Sequence, residues 1–186
     1  MPALCQAVDR LLPDASVLVG DGGDFVATAA YTCRPRGPGS WIDPGAFGTL
    51  GVGGGFALGA ALCCPKSEVW LLWGDGSAGY SIAELDTYVR HGLPVICLVG
   101  NDACWTQIQR EQVPIFGSNV ACPLEYTSYD VVAEGYGATG MEVTSADEDV
   151  GKVVKEAQRI ARRTRKPVLI NVHIGSTDFR DGSISV

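Results

Sequence analysis

Apolar positions along this chain fall into two rhythms. Unbroken apolar runs between turn residues read as strands buried on both faces. Such runs are Val17-Leu18-Val19, Val69-Trp70-Leu71-Leu72-Trp73, residues 94–99 and residues 168–174, with Met141-Glu142-Val143 as a shorter one. Between them lie stretches with helical spacing. Residues 3–12 place Leu4, Ala7, Val8, Leu11 and Leu12 on one side and stop at Pro13-Asp14. Residues 25–31 begin a second helix, 56–63 form a small-residue helix, and 81–91 and 129–136 form two more. Residues 146–163 are amphipathic, with Val150, Val153, Val154, Ala157, Ile160 and Ala161 inward. Asp147, Glu148 and Asp149 at the start of that helix, and Arg162, Arg163 and Arg165 near its end, suit the helix dipole, so the basic run reads as structure. Strands alternating with helices predict an α/β fold: a doubly wound, mostly parallel sheet with helices on both faces. Residues 1–186 read as one domain, with a polar tail from 175 to 186.

One unit carries candidate chemistry. The strand at 69–73 runs into Gly74-Asp75-Gly76-Ser77, a helix follows from Ser81, and the strand at 94–99 closes on Gly100-Asn101-Asp102. Parallel strands joined by a helix end on the same edge of the sheet. Asp75 is therefore expected to face Asn101 and Asp102 there, where open α/β sheets bind ligands. A hard cation such as Mg²⁺ takes oxygen ligands, often one or two carboxylates plus substrate phosphates. Asp75 and Asp102 supply such oxygens, and a backbone carbonyl just beyond Asp102 adds a third. Gly74 and Gly76 allow a sharp turn and let N–H groups approach a phosphate. The positive end of the helix near Ser81 adds to that edge. A metal-bridged diphosphate fits this arrangement better than a bare metal. Alone, Gly-Asp-Gly is a common turn. The loop Gly20-Asp21-Gly22-Gly23-Asp24 reads equally as a second phosphate approach or as a tight turn.

Composition narrows the classes. A net charge of −7 argues against nucleic acid, because phosphate binding along a strand needs a basic face. Seven cysteines, an odd number at irregular spacing, argue against a disulfide framework and for reduced, buried thiols. No Cys-x-x-Cys pair suggests zinc. No apolar stretch of about 18 residues is present to cross a membrane, and Asp9-Arg10 interrupts any secretory pattern at the start. His91 reads as a cation at a helix C-terminus and His173 as a satisfied sheet residue. Residues 34–39 are a loop by composition, and 110–114 with 117–119 are expected to form an irregular loop over the sheet edge.

The paired motifs resemble those of the thiamine-diphosphate enzymes, and the resemblance to their cofactor-binding domain covers nearly the whole chain. Asp43-Pro44-Gly45-Ala46-Phe47-Gly48-Thr49-Leu50-Gly51 resembles the Gly-x-Gly-Thr-Met-Gly segment of the acetolactate synthase branch, with Leu50 for the methionine. Within that superfamily the resemblance is strongest to the acetolactate synthase-like 2-hydroxyacyl-CoA lyases. It is carried further by Trp105-Thr106-Gln107-Ile108, Arg110-Glu111-Gln112-Val113-Pro114 and residues 117–122 and 177–184.

The resemblance implies thiamine diphosphate and Mg²⁺ as cofactors. It implies Gly23, Asp24, Phe47, Gly48, Thr49, Leu50, Gly74, Asp75, Gly76, Ser77, Asn101, Cys104 and Trp105 at the cofactor. Leu50 is the wedge between the cofactor's rings, and a carbonyl near Gly48 accepts from its aminopyrimidine. The metal would fall to Asp75, to Asn101 or Asp102, and to the Cys104 backbone carbonyl, because most members have two asparagines where this chain has Asn101-Asp102. The implied reaction is the carbon–carbon lysis of a 2-hydroxy fatty acyl-CoA to a fatty aldehyde one carbon shorter and formyl-CoA, as in fatty acid α-oxidation. The alternatives are acetolactate-type condensation of pyruvate or a non-catalytic assembly domain of the same fold. A Rossmann-type nucleotide domain is disfavoured, because no strand directly precedes the Gly51–Gly55 run. No residue here matches the family's activating glutamate, so the chain is expected to be the C-terminal domain of a longer enzyme, inactive alone. A homodimer or tetramer and an endoplasmic reticulum membrane location, with the anchor outside this chain, are implied in the same way.

Overall fold

The computed structural model describes residues 1–144, 149–176 and 180–182. Its centre is a sheet of β1 (Ser16–Asp21), β2 (Trp41–Ile42), β3 (Glu68–Gly74), β4 (Ile96–Asn101), β5 (Thr139–Val143) and β6 (Val168–His173). The spatial order is β2-β1-β3-β4-β6-β5, and every pairing is parallel. The unbroken apolar runs follow from this arrangement. Successive side chains of a strand point to opposite faces, and both faces are covered. Trp70 and Leu72 of β3 enter one core with α1 (Pro2–Leu11), α2 (Gly23–Thr32) and α8 (Val150–Thr164). Val69, Leu71 and Trp73 enter the other, with α3 (Gly53–Cys63), α5 (Glu84–His91) and Ala133 of α7 (Tyr129–Gly135).

The order of the strands places a ligand crevice. From β1 the chain moves outward to β2, then returns to β3 on β1's other side and continues to β4. The C-terminal ends of β1 and β3 therefore flank a topological switch point. Helix α3 closes down on these two strands through its first residue. A Cβ at Gly53 would lie 2.5 Å from Cβ of Asp21 and 2.9 Å from Cδ1 of Leu71.

Helical structure begins earlier than the apolar rhythm predicts at α3 and ahead of α5. The helix expected at 81–91 is α5, which begins at Glu84; a separate helix, α4 (Asp75–Ser81), precedes it from the Asp75 loop itself, with Ile82-Ala83 between them. Gly53-Gly54-Gly55, expected to precede a helix, form the first turn of α3. Residues 110–114, expected to be irregular, lie in α6 (Thr106–Phe116), with Pro114 inside it. A proline in a last turn removes one bond close to where the helix ends anyway, and Gly117 in the left-handed region stops it. Helix α6 buries none of its residues, so it leaves no apolar rhythm to read. The Asp147-Glu148 start expected for α8 lies outside the described residues, as do 177–179 and 183–186 of the tail. In the described part of that tail, Arg180 is buried and sits 5.5 Å from the centre of the Tyr31 ring. All seven cysteines are free thiols.

One buried carboxylate clamps α1 to the chain beyond α2. Asp9 accepts from the Arg34 N–H and Nε, both at 2.9 Å, and from Arg36 Nη1 at 3.0 Å. Burial pushes its pKa up, but these donors more than offset that and hold it below the usual carboxylate value. Its contribution is thus present above the unfolded carboxylate pKa and lost as pH falls through the lowered folded one. Asp9→Ala is expected to cost about 2 kcal/mol at pH 7. Denaturant midpoints measure this, and the gap to the parent narrows in acid.

Candidate functional site

Three loops meet at the switch point. Residues 22–24 follow β1, residues 74–77 follow β3, and residues 102–108 follow β4. They line a cleft of about 110 Å³, which Leu50 enters from the side. Of the residues expected at a cofactor, Gly23, Asp24, Leu50, Gly74, Asp75, Gly76, Ser77, Cys104 and Trp105 line this cleft, as does Asp102. The loop at 20–24 therefore belongs to the cleft.

Asp75 is the centre of the cleft. Its Oδ1 accepts from the Gly76 N–H at 2.8 Å and its Oδ2 from the Cys104 N–H at 3.1 Å. Tyr129 donates its hydroxyl to the Asp75 carbonyl at 2.7 Å. Burial, and then the charge of Asp102, push the Asp75 pKa up to about 6. Asp102 is raised as well, chiefly by burial, with Asp24 adding to the effect and the Thr106 hydroxyl opposing it at 2.6 Å. Two carboxylates held near each other out of water can be relieved by a proton or by a cation between them. Among the described residues no group of three His, Cys, Asp or Glu side chains converges, so further ligands would be backbone or substrate oxygens.

The walls are cut close to the backbone. A Cβ at Gly76 would lie 2.4 Å from the Trp105 ring, and one at Gly74 would lie 3.1 Å from the Gly22 carbonyl oxygen. A Cβ at Gly22, whose φ is +65°, would overlap Leu50 at 1.9 Å. At these positions only glycine fits against its neighbours, and the Gly76 N–H is held by Asp75 itself. Both the donor set and this cradle fit a metal-bridged diphosphate.

Asn101 stands apart from this set. It is fully buried, and its amide is turned into the fold, donating to the Thr127 carbonyl at 3.1 Å and to Asn171 Oδ1 at 3.3 Å. Its own oxygen accepts from the Ala103 N–H at 3.3 Å. Of the Asn101-Asp102 pair, the cleft receives Asp102. Phe47, Gly48 and Thr49 also lie outside the cleft walls, in an exposed 3₁₀ turn and the residues after it, and Phe47 is 93 % exposed. The Cys104 thiol is raised by burial, which suits a backbone role better than a nucleophile.

Three groups here were given no individual role from the sequence, although Asp21 and Arg110 lie in stretches it singled out. Asp21, buried at the end of β1, accepts from the Gly51 and Gly53 N–H groups at 2.9 Å each, fixing the turn that delivers Leu50. Arg110 pairs through both terminal nitrogens with Asp24, which cancels a negative charge on the cleft wall. Phe25 forms the floor beneath Gly100, where a Cβ would lie 2.3 Å from its ring. Each depends on contacts between distant loops, which no local motif encodes. His173, expected to be a satisfied sheet residue, stacks on Tyr126 at 4.7 Å and lies 3.1 Å from Glu142, but its buried Nε2 makes no hydrogen bond.

The chain is similar to known proteins in sequence and in fold. The family described as thiamine pyrophosphate enzyme, C-terminal TPP binding domain, matches residues 21–172. A 2-hydroxyacyl-CoA lyase 2 from Danio rerio is 62 % identical over 185 residues, covering 99 % of this chain and 30 % of the relative. A probable acetolactate synthase from Mycobacterium bovis is 36 % identical over 163 residues, covering 87 % of this chain and 29 % of the relative. Among solved structures, a thiamine diphosphate-dependent 4-hydroxybenzoylformate decarboxylase from Rhodococcus jostii superposes with a TM-score of 0.80 at 25 % identity, covering 95 % of this chain and 33 % of the other. The chain thus spans about 30 % of the length of the curated relatives it matches.

Proposed function

From a chain that belongs to the thiamine pyrophosphate enzymes, as their C-terminal TPP-binding domain, we propose the cofactor half of a carbon–carbon lyase active site. The substrate is a 2-hydroxy fatty acyl-CoA, cleaved to formyl-CoA and an aldehyde one carbon shorter. The observation that carries the site is the meeting of Asp75 and Asp102 beside a glycine-walled cradle at the switch point. The 62 % identity with a 2-hydroxyacyl-CoA lyase 2 supports the choice of substrate.

In this reading Asp75 and Asp102 hold Mg²⁺ through their carboxylates and Cys104 through its backbone carbonyl. Gly23, Gly74, Gly76 and Ser77 border the diphosphate. Asp24 would repel it, and its pairing with Arg110 removes that charge. Leu50 supports the bend of the ring system, and Trp105 closes the wall over Gly76. The exposed Phe47-Gly48-Thr49 segment meets the aminopyrimidine side. Thiamine diphosphate, when bound, supplies the carbanion-stabilising chemistry that carbon–carbon cleavage needs. The protein binds it, bends it and keeps water out.

The activating glutamate would come from a further domain, in a homodimer or tetramer of a longer protein. The 30 % span of the relatives supports a longer protein. Attachment to the endoplasmic reticulum membrane is part of the same proposal. Among the described residues no helix is long and apolar enough to cross a membrane.

The test uses the full-length protein with a long-chain 2-hydroxyacyl-CoA, thiamine diphosphate and Mg²⁺. Shortened aldehyde is the expected product. Acetolactate from pyruvate, with no aldehyde from the acyl-CoA, would instead favour the second reading, which the 36 % identity with a probable acetolactate synthase supports.

A further inference from the structure

Asn101 and Asn171 are buried polar side chains that touch nothing in the cleft, yet both lie beneath the loop that carries Asp102 and Cys104. They sit on neighbouring strands, β4 and β6, at the edge where that loop leaves the sheet. Both donate to the same Thr127 carbonyl at 3.1 Å, and Asn171 also donates to Asp130 Oδ1 at 3.1 Å. The pair thereby straps residues 127–130 across the ends of two strands. From that strap Tyr129 reaches the Asp75 carbonyl.

The other end of the pair sets the loop itself. Asn101 Oδ1 holds the N–H of Ala103, whose φ of +54° is left-handed, a conformation that costs a residue with a Cβ energy. The Ala103 carbonyl accepts from Leu124 at 2.8 Å, and Trp105 N–H donates to the Cys122 carbonyl at 2.8 Å. That turn brings the Cys104 N–H onto Asp75. The loop's shape is therefore held by partners that lie outside the cleft.

We propose that Asn101 and Asn171 are positioning residues for the metal loop, acting through Ala103 and the 127–130 strap on where Asp102 and the Cys104 carbonyl stand relative to Asp75. This rests on the functional reading above. Residues behind direct ligands commonly tune metal affinity by about 10–100-fold, and here two amides from adjacent strands serve both carboxylates' loops.

The test measures, in the full-length protein, the Mg²⁺ concentration that half-saturates thiamine diphosphate binding, by calorimetry, beside the unfolding midpoint without cofactor. Asn101→Ala and Asn171→Ala are compared with Gln158→Ala. Gln158 is also a buried amide in polar bonds, to the Leu11 carbonyl and Glu68, but belongs to α8. Asn171→Ser, a smaller polar change, stands in if the alanine variants do not fold. The Mg²⁺ requirement is expected to rise about tenfold in the asparagine variants. Gln158→Ala is expected to lower the unfolding midpoint and leave the requirement unchanged. An unchanged requirement in the asparagine variants, or an equal rise in Gln158→Ala, would overturn the positioning role alone. A parent protein that binds no thiamine diphosphate would overturn the functional reading and the inference with it.

Discussion

Asp75→Ala is expected to weaken thiamine diphosphate binding to the full-length protein by more than about a hundredfold at limiting Mg²⁺, beyond the range usual for residues behind the ligands. Three losses coincide. The metal would lose one of two carboxylates. The Cys104 N–H would lose its acceptor at 3.1 Å, releasing the loop that carries Asp102. The first turn of α4 would lose its acidic residue, and the Gly76 N–H its acceptor. Calorimetric titration of cofactor at several Mg²⁺ concentrations separates the effects. If the first loss dominates, raising Mg²⁺ recovers binding by mass action, whereas a released loop is not restored by more metal. Asp75→Asn keeps an acceptor for Cys104 and should fall between parent and alanine. Unchanged binding in Asp75→Ala would remove Asp75 from the site.

The same carboxylate makes the cation-free protein sensitive to pH. Burial first, and Asp102 second, raise the Asp75 pKa to about 6 in the folded state, against an ordinary value near 3.8. The folded state thus holds the proton more tightly than the unfolded one. The stability this supplies is full below about pH 4 and is lost as pH rises through about 6. Integrated over that shift, the group accounts for about 2–3 kcal/mol between acid and neutral pH. Melting temperature in a chelator should therefore contain a component that falls from pH 5 to 7.5. Asp75→Asn should remove it, and Mg²⁺ with thiamine diphosphate should suppress it. A fall of equal size in Asp75→Asn would place its origin elsewhere. The opposite sign at Asp9 provides an internal contrast, since its contribution is lost on acidification.

Much of this arrangement could be read along the chain, for a physical reason. A parallel sheet covered on both faces writes its strands as unbroken apolar runs, and such runs mark β1, β3, β4 and β6. Their shared direction then places Asp75 and Asp102 on one edge without any coordinate. Helix starts were harder. The residues that open α3 and α4 are mostly glycine, with Asp75, Ser77 and Ala78 in α4, and carry no apolar rhythm, so residues 53–55 and 75–79 look like loop until their packing is seen. Helix α6 was hidden for the opposite reason: with no buried face and a proline near its end, it has neither rhythm nor composition in its favour. Within the site, Asn101 and Asp102 are adjacent in sequence and equally able to supply oxygen. Only the Thr127 carbonyl and Asn171, which lie far along the chain, reveal that one of the two is already engaged.

The strand order also determines when the sheet can be completed. β5 is synthesised before β6, yet β6 is its sole neighbour and stands between it and β4. As the chain leaves the ribosome, β2, β1, β3 and β4 can assemble in turn, while β5 has no edge to join until residues 168–173 arrive. Until then β4 presents an open, apolar edge, the kind that pairs with other chains. A truncation just before Pro167 would not produce a slightly smaller domain. It would leave that edge exposed and β5 without a sheet to join, so the final strand governs solubility during synthesis as much as it completes the fold.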